Sequence, residues 1–258
     1  KLADEIEDEI EKLVLQGTRD LPRKQGTEIG RVYKVAEAID DYVEHLIACT
    51  SFTDKLSNYT IVVDCANGAA YKAAPLLWQR LGANIIPINH QPDGININEN
   101  CGSTHTEGLK KAVLEYKADL GIAYDGDADR CIVIDEQGVE LDGDYIMTMC
   151  ALDMNRSGAL QPKKVVATIM SNIGLDISLR RENISVESCK VGDRYVLEKM
   201  LETKALLGGE QSGHIIFLQH ATTGDGLLTS LKVVELMHKN HLPLSEFAKQ
   251  MERQPQIL

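Results

Sequence analysis

Three carboxylates at alternate positions, Asp125, Asp127 and Asp129, run directly into Arg130, and the apolar stretch Leu120-Gly-Ile-Ala-Tyr124 leads into them. Like charges crowded this closely repel one another, and a hard divalent cation held between them is the natural compensation. A solvated acidic turn is the plainer alternative. Against it stands the position, because an acidic loop after a buried strand lies where open α/β sheets put their ligands.

Three kinds of metal loop compete. An EF-hand calcium loop would run from Asp125 to Glu136, but it needs Gly at the position of Arg130, and Cys131-Ile-Val-Ile134 reads as a strand where ligands belong. A phosphohydrolase with an aspartyl nucleophile also uses a strand followed by Asp-x-Asp, although the third Asp and the adjacent Arg fit it less well. A magnesium site for phosphoryl transfer uses all four residues, with the carboxylates on the cation and Arg130 on a phosphate oxygen. It is the favoured reading.

A second constellation, Glu210, Gln211, Ser212 and His214, sits on a turn bracketed by Gly208, Gly209 and Gly213 between two apolar runs. Glycines let backbone approach a ligand closely, and a carboxylate, an amide and a hydroxyl together suit a polyhydroxylated molecule. A hairpin turn of convenient polar residues is the competing reading. Lys190, Gly192, Asp193 and Arg194 form a third, weaker group, in which Asp193 serves equally well as the N-cap of a helix from Tyr195 to Leu201.

The elements that must hold these groups follow from periodicity. Ile6, Ile10 and Leu13 recur at helical spacing, and Val32, Val35, Ala36, Ile39, Val43 and Leu46 mark a second helix. From Tyr59 strand and helix alternate. Thr60-Ile-Val-Val-Asp64 is a strand, a helix from Tyr71 to Leu81 ends at Gly82, and Asn84-Ile-Ile-Pro-Ile88 is the next strand. Thr104-His-Thr-Glu107 reads as a capping box before a helix that leads into the acidic-loop strand. After a Gln137-Gly138 turn the cycle repeats, with a helix from about Asp144, a strand at Lys164–Met170, a helix capped near Ser171, a short strand at Ile184–Glu187 and the helix after Gly192. This is βαβ grammar, run through twice.

The whole chain bounds the partners. At 258 residues and 43% hydrophobic it accommodates two ordinary domains, and its formal charge of -12 argues against general affinity for nucleic acid or anionic membranes. No apolar run has the length of a membrane span, and the acidic start is not a secretory signal. Cys49, Cys65, Cys101, Cys131, Cys150 and Cys189 make no Cys-x-x-Cys pair, so reduced thiols in a cytoplasmic protein are expected.

Taken together and in order, Asp125-Gly-Asp-Ala-Asp-Arg130, Lys190-Val-Gly-Asp-Arg-Tyr195 and Gly209-Glu-Gln-Ser-Gly-His214 closely resemble the α-D-phosphohexomutase superfamily. Val62-Val-Asp-Cys-Ala-Asn-Gly68, Gly94-Ile-Asn-Ile-Asn98 and Thr222-Thr-Gly-Asp-Gly226 extend the likeness over nearly the whole chain. The family usually carries Gly where Ala128 stands. If that position needs a positive φ, the Ala adds mild strain.

The resemblance implies two consecutive three-layer α/β/α domains with mixed, mainly parallel sheets, at residues 41–140 and 141–258. Residues 1–40 would be the closing helices of a truncated first domain. It implies an isomerase whose phosphoserine gives its phosphoryl group to a hexose phosphate and is restored from a bisphosphorylated intermediate. Asp125, Asp127 and Asp129 would hold Mg2+, Arg130 would bind the transferring phosphate, and Glu210, Gln211, Ser212 and His214 would grip the sugar, with Lys190, Gly192, Asp193 and Arg194 along the cleft. Gln211 resembles the glucosamine-type members, which interconvert glucosamine 6-phosphate and glucosamine 1-phosphate by way of glucosamine 1,6-bisphosphate. Mannose- or glucose-type mutases of the same superfamily are the alternative, as is a non-catalytic module for metal or sugar phosphate. No Ser is followed by His-Asn as in the family's nucleophile segment, and no Ser-Gly-Thr-Glu phosphate loop is present. The expectation is the middle of a longer enzyme, inactive without domains 1 and 4 of the same chain, with pairing into a homodimer left open.

Overall fold

The computed structural model describes residues 4–17, 22–52 and 54–256. Lys1 and Leu258, the ends of the chain, lie outside them. Two compact units divide the chain at residues 36 and 37. The first contains helix α1 (Asp4–Gln16), which carries Ile6, Ile10 and Leu13 as the spacing predicts, and a short 3-10 turn at Gly26–Glu28.

The second unit opens with α2 (Ala38–Ala48). This helix starts later than predicted, and Val32 and Val35 lie outside it. Val32, Tyr33 and Val35 are β-branched or aromatic and favour helix weakly, whereas Asp40 and Asp41 suit the positive first turn of a helix.

The first sheet comprises β1 (Thr60–Asp64), β2 (Asn84–Ile88), β3 (Leu120–Tyr124), β4 (Cys131–Asp135) and β5 (Glu140–Leu141), in the order β2-β1-β3-β4-β5. Its first three strands are parallel, β4 pairs antiparallel with β3, and β5 pairs antiparallel with β4. Helices α3 (Ala70–Arg80) and α4 (Glu107–Tyr116) make the crossovers. The predicted capping box is absent here. Gly102–Thr104 is a 3-10 turn, α4 begins at Glu107, and the Thr106 hydroxyl donates to Glu140 across the fold instead of capping the helix.

After α5 (Gly143–Arg156), the second sheet comprises β6 (Lys164–Thr168), β7 (Ser185–Cys189), β8 (Leu207–Gly209) and β9 (Ile215–Phe217) in the order β7-β6-β8-β9, with only β9 antiparallel. Between and after the strands run α6 (Ile173–Arg181), α7 (Asp193–Thr203), α8 (Gly226–Asn240) and α9 (Leu244–Ala248). The cap of α6 is Asn172, one residue past the predicted Ser171, and its side chain accepts the N–H of Gly174 at 3.0 Å.

Strand alternation sorts the cores. Ile61 and Val63 of β1 and Val165 and Ala167 of β6 face one shared core built around α5 and α8. Val62 points the other way, onto Leu109 and Val113 of α4, and Val166 points onto Val196 and Met200 of α7. Each sheet is therefore covered on both faces, and the two α/β domains share the helical layer between them. Among the described residues no helix is long and apolar enough to cross a membrane.

Candidate active site

β3 and β4 pair as neighbours, with Tyr124 opposite Cys131, so residues 125–130 form the turn between them. The turn is held from three sides. The Ala128 N–H donates to Asp125 O at 3.2 Å, Gly226 at the start of α8 donates to Ala128 O at 2.9 Å, and Ala69 before α3 donates to Gly126 O at 2.8 Å. Ala128 sits at φ 62, the left-handed region that costs a residue with a Cβ.

This folding gathers Asp125, Asp127 and Asp129 so that one ligand oxygen from each lies within 4.8 Å of the others. Asp129 Oδ1 is buried and has no hydrogen-bond partner. Arg130 Nε stands 3.7 Å from both Asp125 Oδ2 and Asp129 Oδ1, too far to satisfy them. Burial pushes the Asp125 carboxyl up to about 6, and the Asp129 charge adds to the rise. A group of hard oxygen donors with a buried orphan oxygen fits a divalent cation such as Mg2+.

The second constellation is the β8–β9 turn. Gly213 N–H donates to Glu210 O at 3.0 Å, and Glu210 N–H donates to His214 O at 3.0 Å. Glu210 Oε1 also accepts the N–H of Gly192 at 2.9 Å, which joins this turn to the loop that precedes α7. Gly192 is the N-cap of α7 and Asp193 its first residue, so Asp193 is not the cap. Arg194 Nε donates to Glu198 along the helix at 2.8 Å, and the Lys190 ammonium lies 5.7 Å from the centre of the Tyr195 ring.

The two loops meet along a seam. Arg130 and His214 form an antiparallel bridge, Cys131 N–H donates to Gly213 O at 3.0 Å, and Gly143 N–H donates to Gln211 O at 2.9 Å. Only glycine fits at position 213, where φ is 93 and a Cβ would lie 2.4 Å from Cys131 O. His214 is 2% exposed, with Nδ1 3.0 Å from Asp129 Oδ2 and Nε2 accepting the N–H of Gly224 at 3.0 Å. The ring therefore stands behind the turn rather than on its outer surface.

A cleft opens over the seam, lined by Arg130 from the acidic loop and by Glu210, Gln211 and Ser212 from the turn. Of the third predicted group only the neighbour Val191 enters its wall; Lys190, Asp193 and Arg194 lie beyond it. Thr168, Met170, Glu140, Asp142 and Arg253 are among its other walls and were not singled out from sequence. Thr168 ends β6, so the rule that ligands gather at the carboxyl ends of strands could have found it. A second groove borders the acidic loop at Asp127 and Asp129, with Tyr42, Ala69, Ala70 and Asp225 among its walls. The Tyr42 hydroxyl lies 2.9 Å from both carboxylate oxygens of Asp225.

Comparison with known proteins places this geometry in a family. The family model described as phosphoglucomutase/phosphomannomutase, alpha/beta/alpha domain II matches residues 40–138, and the corresponding domain III matches residues 142–254. The phosphoglucosamine mutase of Syntrophomonas wolfei is 67% identical over all 258 residues, which make up 57% of that protein. The phosphoglucosamine mutase of Desulforamulus reducens is 54% identical over the same residues, 58% of its length. The chain thus spans a little over half the length of these curated relatives. A phosphoglucomutase/phosphomannomutase family protein from Burkholderia thailandensis superposes with a TM-score of 0.79 at 24% identity, covering 97% of this chain and 53% of that one. Aspergillus fumigatus N-acetylphosphoglucosamine mutase, solved with GlcNAc-6P and magnesium, gives 0.67 at 21% identity, covering 83% and 54%. With both domain matches spanning the two sheets and the cleft between them, the chain belongs to the phosphoglucomutase/phosphomannomutase family, whose second and third domains it carries.

Proposed function

We propose that this chain forms the metal-binding and sugar-gripping centre of a phosphohexomutase that interconverts glucosamine 6-phosphate and glucosamine 1-phosphate through a phosphoserine and a glucosamine 1,6-bisphosphate intermediate. One observation carries the reading: Arg130 of the acidic loop and the Glu210–Ser212 turn, far apart in sequence, line one cleft and are joined by the Arg130–His214 bridge. The choice of glucosamine is supported by the curated relatives, which are named phosphoglucosamine mutases. In this reading residues 41–140 carry the acidic loop and 141–258 the sugar turn, residues 1–40 close a first domain, and domains 1 and 4 of the same chain supply the serine and close the cleft. The proposed setting is the cytoplasm, where a free sugar phosphate is found.

Asp125, Asp127 and Asp129 would hold Mg2+, which when bound neutralises charge around the transferring phosphoryl group. Arg130, on the cleft side of the same loop, offers N–H donors to that group's oxygens. As the serine P–O bond breaks, a sugar hydroxyl oxygen forms the new one, its proton ends on the serine oxygen, and alignment of the two oxygens is most of what the protein must supply. Glu210, Gln211 and Ser212 provide an acceptor, an amide and a hydroxyl for the sugar's polar edge. Gly192 keeps Glu210 in place, and Lys190, Asp193 and Arg194 border the cleft beyond Val191. The grip must tolerate both orientations of the bisphosphate, so that the second phosphoryl can return to serine.

The full-length protein containing this chain, assayed with Mg2+ and a trace of glucosamine 1,6-bisphosphate, should turn over glucosamine 6-phosphate with kcat/KM at least about 10-fold above mannose 6-phosphate or glucose 6-phosphate. Equal turnover of the three sugars would remove the glucosamine assignment. Unchanged activity in Asp127→Asn would remove the metal assignment, and saturable sugar-phosphate binding without turnover would make the protein a binding module.

A further inference from the structure

Three buried donors in the walls of the cleft have no hydrogen-bond partner: Ser103 Oγ, Arg130 Nε and Gln211 Nε2. The carboxylates beside them are engaged, Glu140 by Thr106 and Lys110, Asp142 by Arg253, and Glu210 by Gly192. Buried polar groups are ordinarily satisfied, so a cleft with spare donors and occupied acceptors fits a ligand rich in acceptor oxygens, as a sugar phosphate is. Arg130 belongs to the acidic loop and Gln211 to the sugar turn. Ser103 belongs to neither, and sits on the 3-10 turn Gly102–Thr104.

The place of that turn is built by a buried carboxylate. Asp64 ends β1 and is 1% exposed; its Oδ1 accepts the Ala66 N–H at 2.9 Å, and its Oδ2 accepts the Gly102 N–H, 38 residues away, at 3.0 Å. Gly102 lies so close to the end of β3 that a Cβ there would sit 2.6 Å from Tyr124 O, and its φ of 73 favours glycine. The turn is thereby clamped beside the start of the acidic loop, with Ser103 and Arg130 in the wall of one cleft. We infer that Gly102–Thr104 is a further substrate loop, in which the Ser103 hydroxyl bonds an oxygen of the sugar phosphate alongside Arg130 and Asp64 is the positioning residue that holds the turn in place. The inference rests on the reading of the cleft as a phosphohexomutase site. A hydroxyl swings about a single torsion, so Ser103 can turn to a ligand oxygen without backbone movement.

The test is kcat/KM for glucosamine 6-phosphate in the full-length protein with Mg2+ and a trace of glucosamine 1,6-bisphosphate, with urea unfolding of the same variants in the absence of sugar. Ser103→Ala should lower kcat/KM about 10-fold or more, the loss expected of a hydrogen bond to a charged group, and leave the unfolding midpoint unchanged or raised, because the hydroxyl removed has no partner to lose. Ser103→Thr keeps a hydroxyl and should stay within about 3-fold of the unaltered protein. Asp64→Asn offers one oxygen where two N–H groups must be met; it should lower kcat/KM and also speed amide exchange at residues 102–105, which Ser103→Ala should not. Should Asp64→Asn fail to fold, the two Ser103 variants carry the test. Unchanged kcat/KM or a lowered unfolding midpoint in Ser103→Ala, or an equal loss of kcat/KM in Ser103→Thr, would overturn the substrate contact. Unaltered exchange at 102–105 in Asp64→Asn would overturn the positioning role. No turnover of any hexose phosphate by the unaltered protein would overturn the proposed function, and the inference with it.

Discussion

Glu210 Oε1 accepts the backbone N–H of Gly192 at 2.9 Å, so the proposed sugar clamp and the start of α7 move as one piece. Gly192 holds φ 129, a conformation closed to other residues, and its N–H would have no other acceptor from the turn. Glu210→Ala should free that N–H and speed amide hydrogen exchange at residues 190–194, at a stability cost of about 1–2 kcal/mol. Glu210→Gln retains an acceptor oxygen and should leave the exchange pattern nearly unchanged. Equal protection in the Ala variant would show that the loop is held by something else.

The seam between the sheets makes a second prediction. A Cβ on Gly143 would sit 2.0 Å from Glu210 O and 2.9 Å from Gly213 N, both backbone atoms that cannot swing aside. Gly143→Ala should therefore cost more than about 3 kcal/mol in urea unfolding, well above the usual effect of a single substitution. The cost should fall on the cleft, because the Gly143 N–H also fixes Gln211 O. A loss under about 1 kcal/mol would mean that α5 can slide without disturbing the turn.

The pieces of the site were legible in sequence because each is local. Alternating carboxylates after an apolar run, and polar residues set among Gly208, Gly209 and Gly213, declare themselves within a few positions, and the βαβ rhythm indicates where each falls in the fold. What joins them was not legible. The bonds of His214 to Asp129 and of Tyr42 to Asp225 link residues 85 and 183 positions apart, and nothing near any of the four names its partner. The capping box at Thr104 also failed. Residues 102–104 form a 3-10 turn, so the helix starts two residues later than the box requires, and its actual N-cap Thr106 turns its hydroxyl to Glu140, 34 residues away. His214 was read as part of the sugar turn because the residues around it are polar, whereas its ring is buried against Asp129 and Gly224.

Ala128 gives a third prediction. At φ 62 its Cβ crowds the backbone, and relief of that strain should outweigh the lost burial of one methyl and the added freedom of the unfolded chain. Ala128→Gly should raise stability by up to about 1 kcal/mol and leave the acidic group intact. Thermal unfolding without divalent cation measures the first effect, and Mn2+ affinity the second. A clear destabilisation would show that the methyl, 9% exposed, contributes more by packing than it costs in strain.

Buried Asp144 supplies the last prediction, in pH. Its Oδ2 accepts the Asn172 N–H at 2.7 Å, but its Oδ1 is buried without a hydrogen-bond partner. Burial pushes its carboxyl up to about 6 despite that bond, and the Asp142 charge contributes to the rise. A carboxyl raised in the folded state binds its proton more tightly there than in the unfolded chain, so its stabilising effect is complete below about pH 4 and is lost as pH rises through about 6. The loss amounts to roughly 3 kcal/mol for a shift of about 2 pH units. Asp125 is also raised, so the comparison must be between variants rather than along one curve. Asp144→Asn keeps an oxygen for the Asn172 N–H and carries no charge at any pH. It should match the unaltered protein near pH 4 and exceed it by up to that amount at pH 7.5, as measured by urea unfolding at both values. A difference that does not change with pH would mean that the ionised carboxylate finds in solution the partner its Oδ1 lacks here.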